Sequence, residues 1–304
     1  MPKEEPNGAP DGETLPTVGV IGLGAIGDGV ASSLLRAGFP VVVTDVRSEA
    51  TDRYRDQAIV AASPSDLARQ SDVVVVAVVN DAQVYAVLSG PDGGLAAAGS
   101  DTTTTTFIIV STVSSACVEA IGTEAAGLGT PVLDCGVSGG PSAAATGDLV
   151  CMVGGPAEVI EGVRPVFDAI GSLTVTMGPF GTGLAAKLAR NLVQYGSWLA
   201  AYEGQVLAEA AGIELGKLAQ VIKASDARIG GASTLMFRST VAPFTDADDK
   251  GLVGAMQSAA SLAHKDLQAA LEFARTLDVD LPLAALTEEH CDDIFGVGTG
   301  TVKP

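Results

Sequence analysis

The chain has 304 residues, of which 47% are hydrophobic, and its formal net charge is −19 at pH 7. This length allows two domains of ordinary size, each with its own core. The negative charge repels phosphate backbones and anionic lipid surfaces, so we expect neither nucleic acid nor a membrane as a partner. The apolar runs are also far shorter than the roughly 18 residues that a transmembrane helix requires.

Residues 1–16 are rich in proline, glycine and glutamate and lack the apolar segment of a secretory signal, so we predict a disordered tail. The four cysteines form no Cys-x-x-Cys pair and only two histidines accompany them, so we predict no metal site. Their apolar surroundings are typical of reduced thiols, which makes a cytoplasmic protein the expectation.

Short apolar runs alternate with helical stretches over residues 17–180, which we predict to form one α/β domain. The predicted strands lie near residues 17–21, 41–44, 73–79, 107–110, 131–133, 149–153 and 173–176. Fully apolar strands that alternate with helices indicate a doubly wound, mostly parallel sheet covered on both faces.

The segment between the first predicted strand and the first helix consists of Gly22, Leu23, Gly24, Ala25, Ile26 and Gly27. A Gly-x-Gly-x-x-Gly motif in this position is typical of dinucleotide binding. The first glycine permits a tight turn, the second lets backbone approach a pyrophosphate, and the third allows close packing of helix on strand. Amides at the helix N-terminus then favour the bound negative charge.

An acidic residue, Asp45, ends the second predicted strand near the offset that a dinucleotide-binding fold requires. Its carboxylate can accept hydrogen bonds from the ribose hydroxyls and repels a 2′-phosphate, which favours NAD. Arg47 could instead pair with such a phosphate or face solvent, so NADP is possible. Val46, between them, is included with the predicted cofactor contacts.

After residues 178–181 the pattern becomes helical, and we predict an all-α domain over residues 181–304. The predicted helices cover residues 182–211, 215–225, 250–277 and 282–293. The first is longer than an average globular helix and therefore joins the two domains. Because it is rich in alanine and glycine, it allows close contact with a second copy, which predicts a dimer or tetramer.

Two segments carry polar groups suited to a small ligand. Lys187 and Asn191 lie about 40° apart on the helical wheel, so both can reach one ligand, although such a pair is often only a polar seam between helices. Arg190 is a second anchor for an acidic substrate or faces a neighbouring helix. Residues 134–140 follow a strand and form either a turn or an anion-binding nest.

Five motifs together resemble the β-hydroxyacid dehydrogenases, the family of 3-hydroxyisobutyrate dehydrogenase. They lie at residues 22–27, 111–112, 134–140, 187–191 and 265–267, in the order and at the spacing of that family. The resemblance implies an N-terminal Rossmann domain, a C-terminal helical domain and a substrate cleft between them. It also implies NAD(P)-dependent oxidation of a small 3-hydroxy acid.

The resemblance assigns roles to the polar residues. Lys187 would be the general acid/base at the substrate hydroxyl, and Asn191 would help to hold that group. Ser138, Gly139 and Gly140 would bind the substrate carboxylate. Alcohol oxidation removes one hydride and one proton, so one base suffices and no metal is required. Burial beside the positive nicotinamide would lower the pKa of the lysine, so that it could act as this base at neutral pH.

Further residues are implied as cofactor contacts by the same resemblance. Val79, Asn80 and Thr112 would lie along the cofactor, and Lys265 would reach towards it from the helical domain. Residues 191–196 also look like 6-phosphogluconate dehydrogenases, but those enzymes have a catalytic glutamate where this chain has Gln194, which disfavours their decarboxylation.

Three alternatives share this scaffold. One is a reductase of a small aldehyde acid such as glyoxylate or succinic semialdehyde, since the direction of the reaction cannot be read from residues. Imine reductases usually have aspartate or tyrosine at the position of Lys187, which argues against them. A non-catalytic dinucleotide-binding scaffold protein would be expected to lack the lysine or the nest, and this chain keeps both.

Overall fold

A computed structural model describes residues 14–98, 105–238 and 240–298. Most of the predicted tail, residues 1–13, lies outside the described residues. The chain divides into two compact units, Met1–Arg190 and Asn191–Pro304.

The first unit contains one sheet, for which eight strands are described, in the order β3-β2-β1-β4-β5-β6-β7-β8. Their bounds are β1 Val18–Ile21, β2 Val41–Thr44, β3 Ile59–Val60, β4 Val73–Val76, β5 Thr106–Ile109, β6 Val132–Ser138, β7 Leu149–Gly154 and β8 Gly171–Gly178. Neighbouring strands are parallel except for β6 and β7, which are antiparallel. The predicted doubly wound, mostly parallel sheet is confirmed.

Helices cover both faces of this sheet. They are α1 Ala25–Arg36, α2 Ser48–Asp52, α3 Pro64–Arg69, α4 Asp81–Leu88, α5 Gly94–Ala98, α6 Ser115–Leu128, α7 Gly140–Thr146, α8 Ala157–Gly162 and α9 Arg164–Ile170. Along β4, Val73 and Val75 pack into one buried cluster, and Val74 and Val76 pack into the other. Side chains alternate between the faces of a strand, so continuous apolar runs are what a sheet covered on both sides requires.

Two strands differ from the sequence-based expectation. The short edge strand β3 was missed, because Ile59–Val60 is only two residues long and exposed. Residues 134–138, expected as part of a turn or an anion-binding nest after a strand, instead belong to β6, because they pair with β7 from Asp134 opposite Gly154 to Ser138 opposite Val150. That expectation was wrong: glycine and polar residues are kept extended here by pairing with a distant segment.

The described residues of the second unit form helices joined by loops, the longest of which separates α11 from α12, and they include no strand. The unit contains the rest of α10 Thr182–Ala210, which begins in the first unit, and then α11 Leu215–Ile229, α12 Lys250–Thr276, α13 Pro282–Glu289 and α14 Cys291–Ile294. The long helix and the all-α region are confirmed, although the last predicted helix is two helices that meet at His290. Among the described residues, no helix is both long and apolar enough to cross a bilayer.

Candidate active site

The three motif glycines at the junction of β1 and α1 differ in what surrounds them. A Cβ on Gly22, whose φ is 90°, would lie 2.7 Å from the Ala77 carbonyl oxygen, and a Cβ on Gly27 would lie 1.8 Å from the Gly22 carbonyl oxygen. No atom lies within 4 Å of the corresponding position on Gly24. The outer glycines are therefore required by the turn and by packing, whereas the middle one faces open space.

This open space is a cavity of about 310 Å³ at the carboxyl ends of the parallel strands. Its lining residues are Gly24, Ala25, Ile26, Ala77, Val78, Val79, Val110, Ser111, Thr112, Val137, Gly140 and Lys187. The first turn of α1 contributes here, and its N-cap, Gly24, makes no side-chain capping bond. Helix-terminal amides beside an open cavity fit an anionic group such as the pyrophosphate of a dinucleotide.

Hydrogen bonds brace the loops around this cavity. The Ser111 hydroxyl accepts from the Val78 amide at 3.0 Å and donates to the Val76 carbonyl at 3.3 Å. The Asp81 carboxylate accepts from the Ser114 amide at 3.0 Å and from its hydroxyl at 2.5 Å, and these bonds lower the pKa of Asp81. The loops after β4 and β5 are thus tied together. The motifs in the sequence predict no role for Asp81, although an acidic residue in the first turn of a helix is a recognisable signal.

Two predicted cofactor residues lie on the loop after β4. Asn80 is the N-cap of α4, and its side-chain oxygen accepts from the Gln83 amide at 3.0 Å. Val79 lines the cavity and its side chain is exposed. The cap fixes the direction in which this loop enters α4 and thereby the edge of the cavity.

Asp45 and Arg47 pair with each other at the end of β2. One Asp45 oxygen accepts from the Arg47 amide and Nε at 2.9 and 3.0 Å, and the other accepts from the Leu23 amide at 2.6 Å and Arg47 Nη2 at 3.1 Å. Burial alone would raise the pKa of Asp45, but the hydrogen bonds from Arg47 and Leu23 lower it overall. Val46, between them, is almost fully exposed. A carboxylate offers about four acceptor positions, so all of them are used.

Lys187 lies half-buried in α10, and its Nζ donates to the carbonyl oxygen of Val137 in β6. Burial lowers the pKa of Lys187, and the positive charge of the exposed Arg190 lowers it further. Both causes favour the neutral amine, which is the form that can accept a proton.

Ser138, Gly139 and Gly140 connect β6 to α7. Ser138 is the buried last residue of β6, and Gly139 and Gly140 have φ values of 122° and 70°. Positive φ values favour glycine, and no atom lies within 4 Å of a Cβ built on Gly140. The backbone is therefore open to a ligand at Gly140, three residues after Val137, the partner of Lys187.

Two other predicted site residues belong to the second unit. Asn191 follows Lys187 by one turn of α10 and is partly buried. Lys265 lies in α12, where its exposed Nζ is 3.2 Å from the Asp266 carboxylate. Among the described residues, no group of three or more histidine, cysteine and acidic side chains is arranged to hold a metal ion.

Comparison with known proteins agrees with the five motifs. Residues 17–178 match the model of the NAD-binding domain of 6-phosphogluconate dehydrogenase, and residues 181–296 match the model described as NAD-binding of NADP-dependent 3-hydroxyisobutyrate dehydrogenase. An uncharacterised oxidoreductase of Mycobacterium tuberculosis is 37% identical over 95% of this chain and 96% of its own.

Two further relatives cover most of the chain. L-threonate dehydrogenase of Cupriavidus necator is 36% identical over 90% of this chain and 88% of its own. The crystal structure of a Mycobacterium avium protein superposes with a TM-score of 0.81 at 33% identity, covering 93% of this chain and 99% of that one. The expected resemblance is therefore confirmed, and the chain belongs to the β-hydroxyacid dehydrogenases, a family of NAD(P)-dependent oxidoreductases.

Proposed function

We propose that this chain, with domains at residues 17–180 and 181–304, oxidises a small 3-hydroxy acid with Lys187 as the general acid/base. The observation that carries this proposal is that Lys187 lines the same cavity as Gly24, Ala25 and Ile26 of the glycine loop. A proton acceptor and a dinucleotide-binding loop are the two parts that alcohol oxidation requires.

The geometry of the first unit supports the proposed cofactor contacts. The amides at the start of α1 would hold the pyrophosphate, and residues 79, 80 and 112 would lie along the cofactor. When bound, the oxidised nicotinamide accepts the hydride from the carbinol carbon. Lys265 would be a further cofactor contact, as the family resemblance implies.

The proton is taken by Lys187. Its amine donates a hydrogen bond to the Val137 carbonyl, which holds it in place. Burial and the charge of Arg190 lower its pKa and favour the neutral form, which can accept the proton of the substrate hydroxyl. Asn191, one turn further along α10, would hold the same hydroxyl. Arg190 would add a second anchor for an acidic substrate.

The substrate carboxylate would bind to Ser138 and to the amides of Gly139 and Gly140. Support comes from the two positive φ values and from the open space beside Gly140. Binding at this end would orient the carbinol carbon towards the nicotinamide, and orientation is itself a large part of catalysis.

NAD is the proposed cofactor, with NADP as the alternative. Asp45 at the end of β2 favours NAD because its charge repels a 2′-phosphate, provided that Arg47 leaves the carboxylate when the ribose binds. Arg47 itself supplies the charge that NADP would need.

The second unit supports a homo-oligomer, a dimer or tetramer. Large apolar side chains of α10 are exposed in the single chain, namely Leu192, Tyr195, Trp198, Leu199 and Tyr202. Monomeric proteins rarely leave such a patch uncovered, and we propose that a second copy of this chain covers it. A cytoplasmic location stays a prediction from the cysteines.

The test combines a substrate panel with variants of Lys187. 3-Hydroxyisobutyrate, L-threonate and L-serine are assayed with NAD and NADP, and glyoxylate and succinic semialdehyde with the reduced cofactors. Lys187→Ala should lower kcat by about 10²–10⁴-fold, the usual contribution of general acid/base catalysis, with unchanged cofactor affinity. Lys187→Arg should be equally inactive because an arginine does not release its proton at these pH values.

The matched control is Lys217→Ala, which removes an exposed lysine of α11 paired with Glu214. It should leave kcat unchanged. Near-normal turnover of Lys187→Ala would contradict the mechanism. Cofactor binding without turnover of any panel compound by the parent protein would favour the non-catalytic scaffold, and faster turnover of the aldehyde acids would favour the reductase.

A further inference from the structure

Asp134 is a buried carboxylate on β6, with only 1% of the residue exposed. Its Oδ1 accepts from the Gly181 amide at 2.6 Å, and its Oδ2 accepts from the Leu184 amide at 2.6 Å. Both amides lie at the start of α10, where backbone donors lack partners within the helix and the dipole favours negative charge. Asp134 therefore holds the first turn of α10.

Glycines bring α10 directly against the backbone of the sheet. A Cβ on Gly136 would lie 2.5 Å from the Lys187 Cβ and 2.7 Å from the Gly183 carbonyl oxygen. A Cβ on Gly183 would lie 2.4 Å from the Met152 carbonyl oxygen. Contact this close leaves no room for an added methyl group. Close packing therefore allows α10 only one position against β6 and β7.

The same strand carries three parts of the site. Asp134 holds the first turn of α10, the Val137 carbonyl accepts from Lys187 Nζ, and Ser138 begins the glycine turn. Residues of a strand are spaced by about 3.3 Å, so β6 fixes the distances between these groups. We propose that Asp134 is a positioning residue that sets Lys187 relative to Ser138, Gly139 and Gly140.

This inference rests on the proposed role of Lys187, and it predicts a graded loss. Asp134→Asn keeps the shape of the side chain but leaves one acceptor oxygen, and its NH₂ group faces a backbone N–H. One of the two amides at the start of α10 is then released. A displacement of about 1 Å at a catalytic group lowers turnover on the order of 10²-fold.

Glu203 provides a matched control in the second unit. It is 6% exposed, and its Oε1 and Oε2 accept from the Leu283 and Ala284 amides at 2.7 and 3.0 Å, at the start of α13. Glu203→Gln also replaces a carboxylate with an amide where two backbone amides of a first helical turn donate to it, but the helix is α13 instead of α10. It separates a general loss of helix anchoring from an effect on Lys187.

The experiment measures thermal unfolding, cofactor affinity, kcat and the pH dependence of Lys187 acylation by acetic anhydride, read by peptide mapping of the full-length protein. Both variants should lower the unfolding midpoint. Burial lowers the pKa of Lys187, so a displaced and better hydrated Lys187 should have a higher pKa. Only Asp134→Asn should therefore move the acylation profile of Lys187 to higher pH and lower kcat by about tenfold to a hundredfold, with cofactor affinity retained. A parental acylation profile in Asp134→Asn, or an equal shift in Glu203→Gln, would overturn the proposal.

Gly136→Ala tests the same idea without altering Asp134, and it decides the matter if Asp134→Asn does not fold. Its methyl group would displace α10 at Lys187, whereas Gly127→Ala in α6 meets no atom within 4 Å and is its control. Only Gly136→Ala should shift the acylation profile, and a parental profile would count against the inference. Because acylation requires no turnover, this result is independent of whether Lys187→Ala defeats the proposed function.

Discussion

The two units of the chain differ in how completely they bury their apolar side chains. In the first unit, large side chains such as Leu34, Phe107 and Phe167 are fully buried on the two faces of the sheet. In the second unit, the buried apolar positions among the described residues are mostly small, namely Ala208, Ala260, Ala274, Leu281 and Cys291. The first unit thus has a complete core, whereas the second leaves many large apolar side chains exposed in the single chain.

This difference separates two kinds of variant. Changes at the cavity of the first unit should alter kinetics and leave assembly intact, because the core beneath it is complete. Changes on the exposed face of α10 should alter assembly first.

Cofactor preference should respond in opposite directions to the two members of the Asp45–Arg47 pair. Asp45→Ala frees Arg47 for a 2′-phosphate and should shift the NAD to NADP ratio of kcat/KM towards NADP by about tenfold to a hundredfold, the worth of one or two charge-assisted hydrogen bonds. Arg47→Ala should shift it towards NAD. The ratios come from initial rates with both cofactors. Parallel shifts in the two variants would contradict the proposed division of roles.

Assembly should be sensitive to the exposed aromatic side chains of α10. Trp198→Glu places a charge in the apolar patch and should weaken self-association by at least roughly 30-fold, the usual effect of losing an interfacial tryptophan. Sedimentation equilibrium measures this. The control is Leu128→Glu, which alters an exposed leucine of α6 in the first unit and should leave the molar mass unchanged. A monomeric parent protein would refute the proposed oligomer.

Removal of Arg190 should change both the pH profile and substrate affinity. Its positive charge lowers the pKa of Lys187, so Arg190→Gln should raise that pKa and move the rising limb of kcat/KM to higher pH. If Arg190 also anchors the substrate, KM should rise by about tenfold. The measurement is a pH series of initial rates. A shift of the limb without a change in KM would assign Arg190 a purely electrostatic role.

The smallest expected effect concerns the pH dependence of stability in the second unit. His264 of α12 lies 3.2 Å from Glu288 and 3.2 Å from Asp292, and these partners raise its pKa. The stabilisation is therefore complete below the usual histidine pKa and is lost as pH rises through the raised value. The unfolding midpoint should fall over that range, and His264→Gln should flatten the dependence. An unchanged slope in the variant would exclude His264 as the cause.

Much of the fold was readable from local pattern. Apolar runs predicted seven of the eight described strands, and the glycine motif predicted the turn that Gly22 and Gly27 make, because these features depend on neighbours in sequence. The missed strand, Ile59–Val60, is too short to show a period. Residues 134–138 were misread because their extended form depends on pairing with β7.

The individual residues of the site were predictable from the sequence, but most of the hydrogen bonds between them were not. Lys187, Gly140 and Thr112 were expected from motifs, and the structure brings them to one cavity. The hydrogen bonds of Asp45 with both Leu23 and Arg47 were not expected. The sequence indicates Asp45 as a ribose contact for NAD and Arg47 as a phosphate contact for NADP, and it does not indicate that the two side chains pair. The role of Asp134 at the start of α10 had no signal of its own in the sequence.

By itself, the sequence determined the fold class, the dinucleotide-binding turn, the long helix and the family, since each depends on periodicity or on motifs whose spacing is fixed along the chain. Tertiary structure alone decided which polar groups meet. Lys187 reaches Val137, and Asp134 reaches Gly181 and Leu184, only because β6 and α10 pack together through glycines. Such contacts join residues far apart in sequence, and they depend on close packing rather than on local conformational preference.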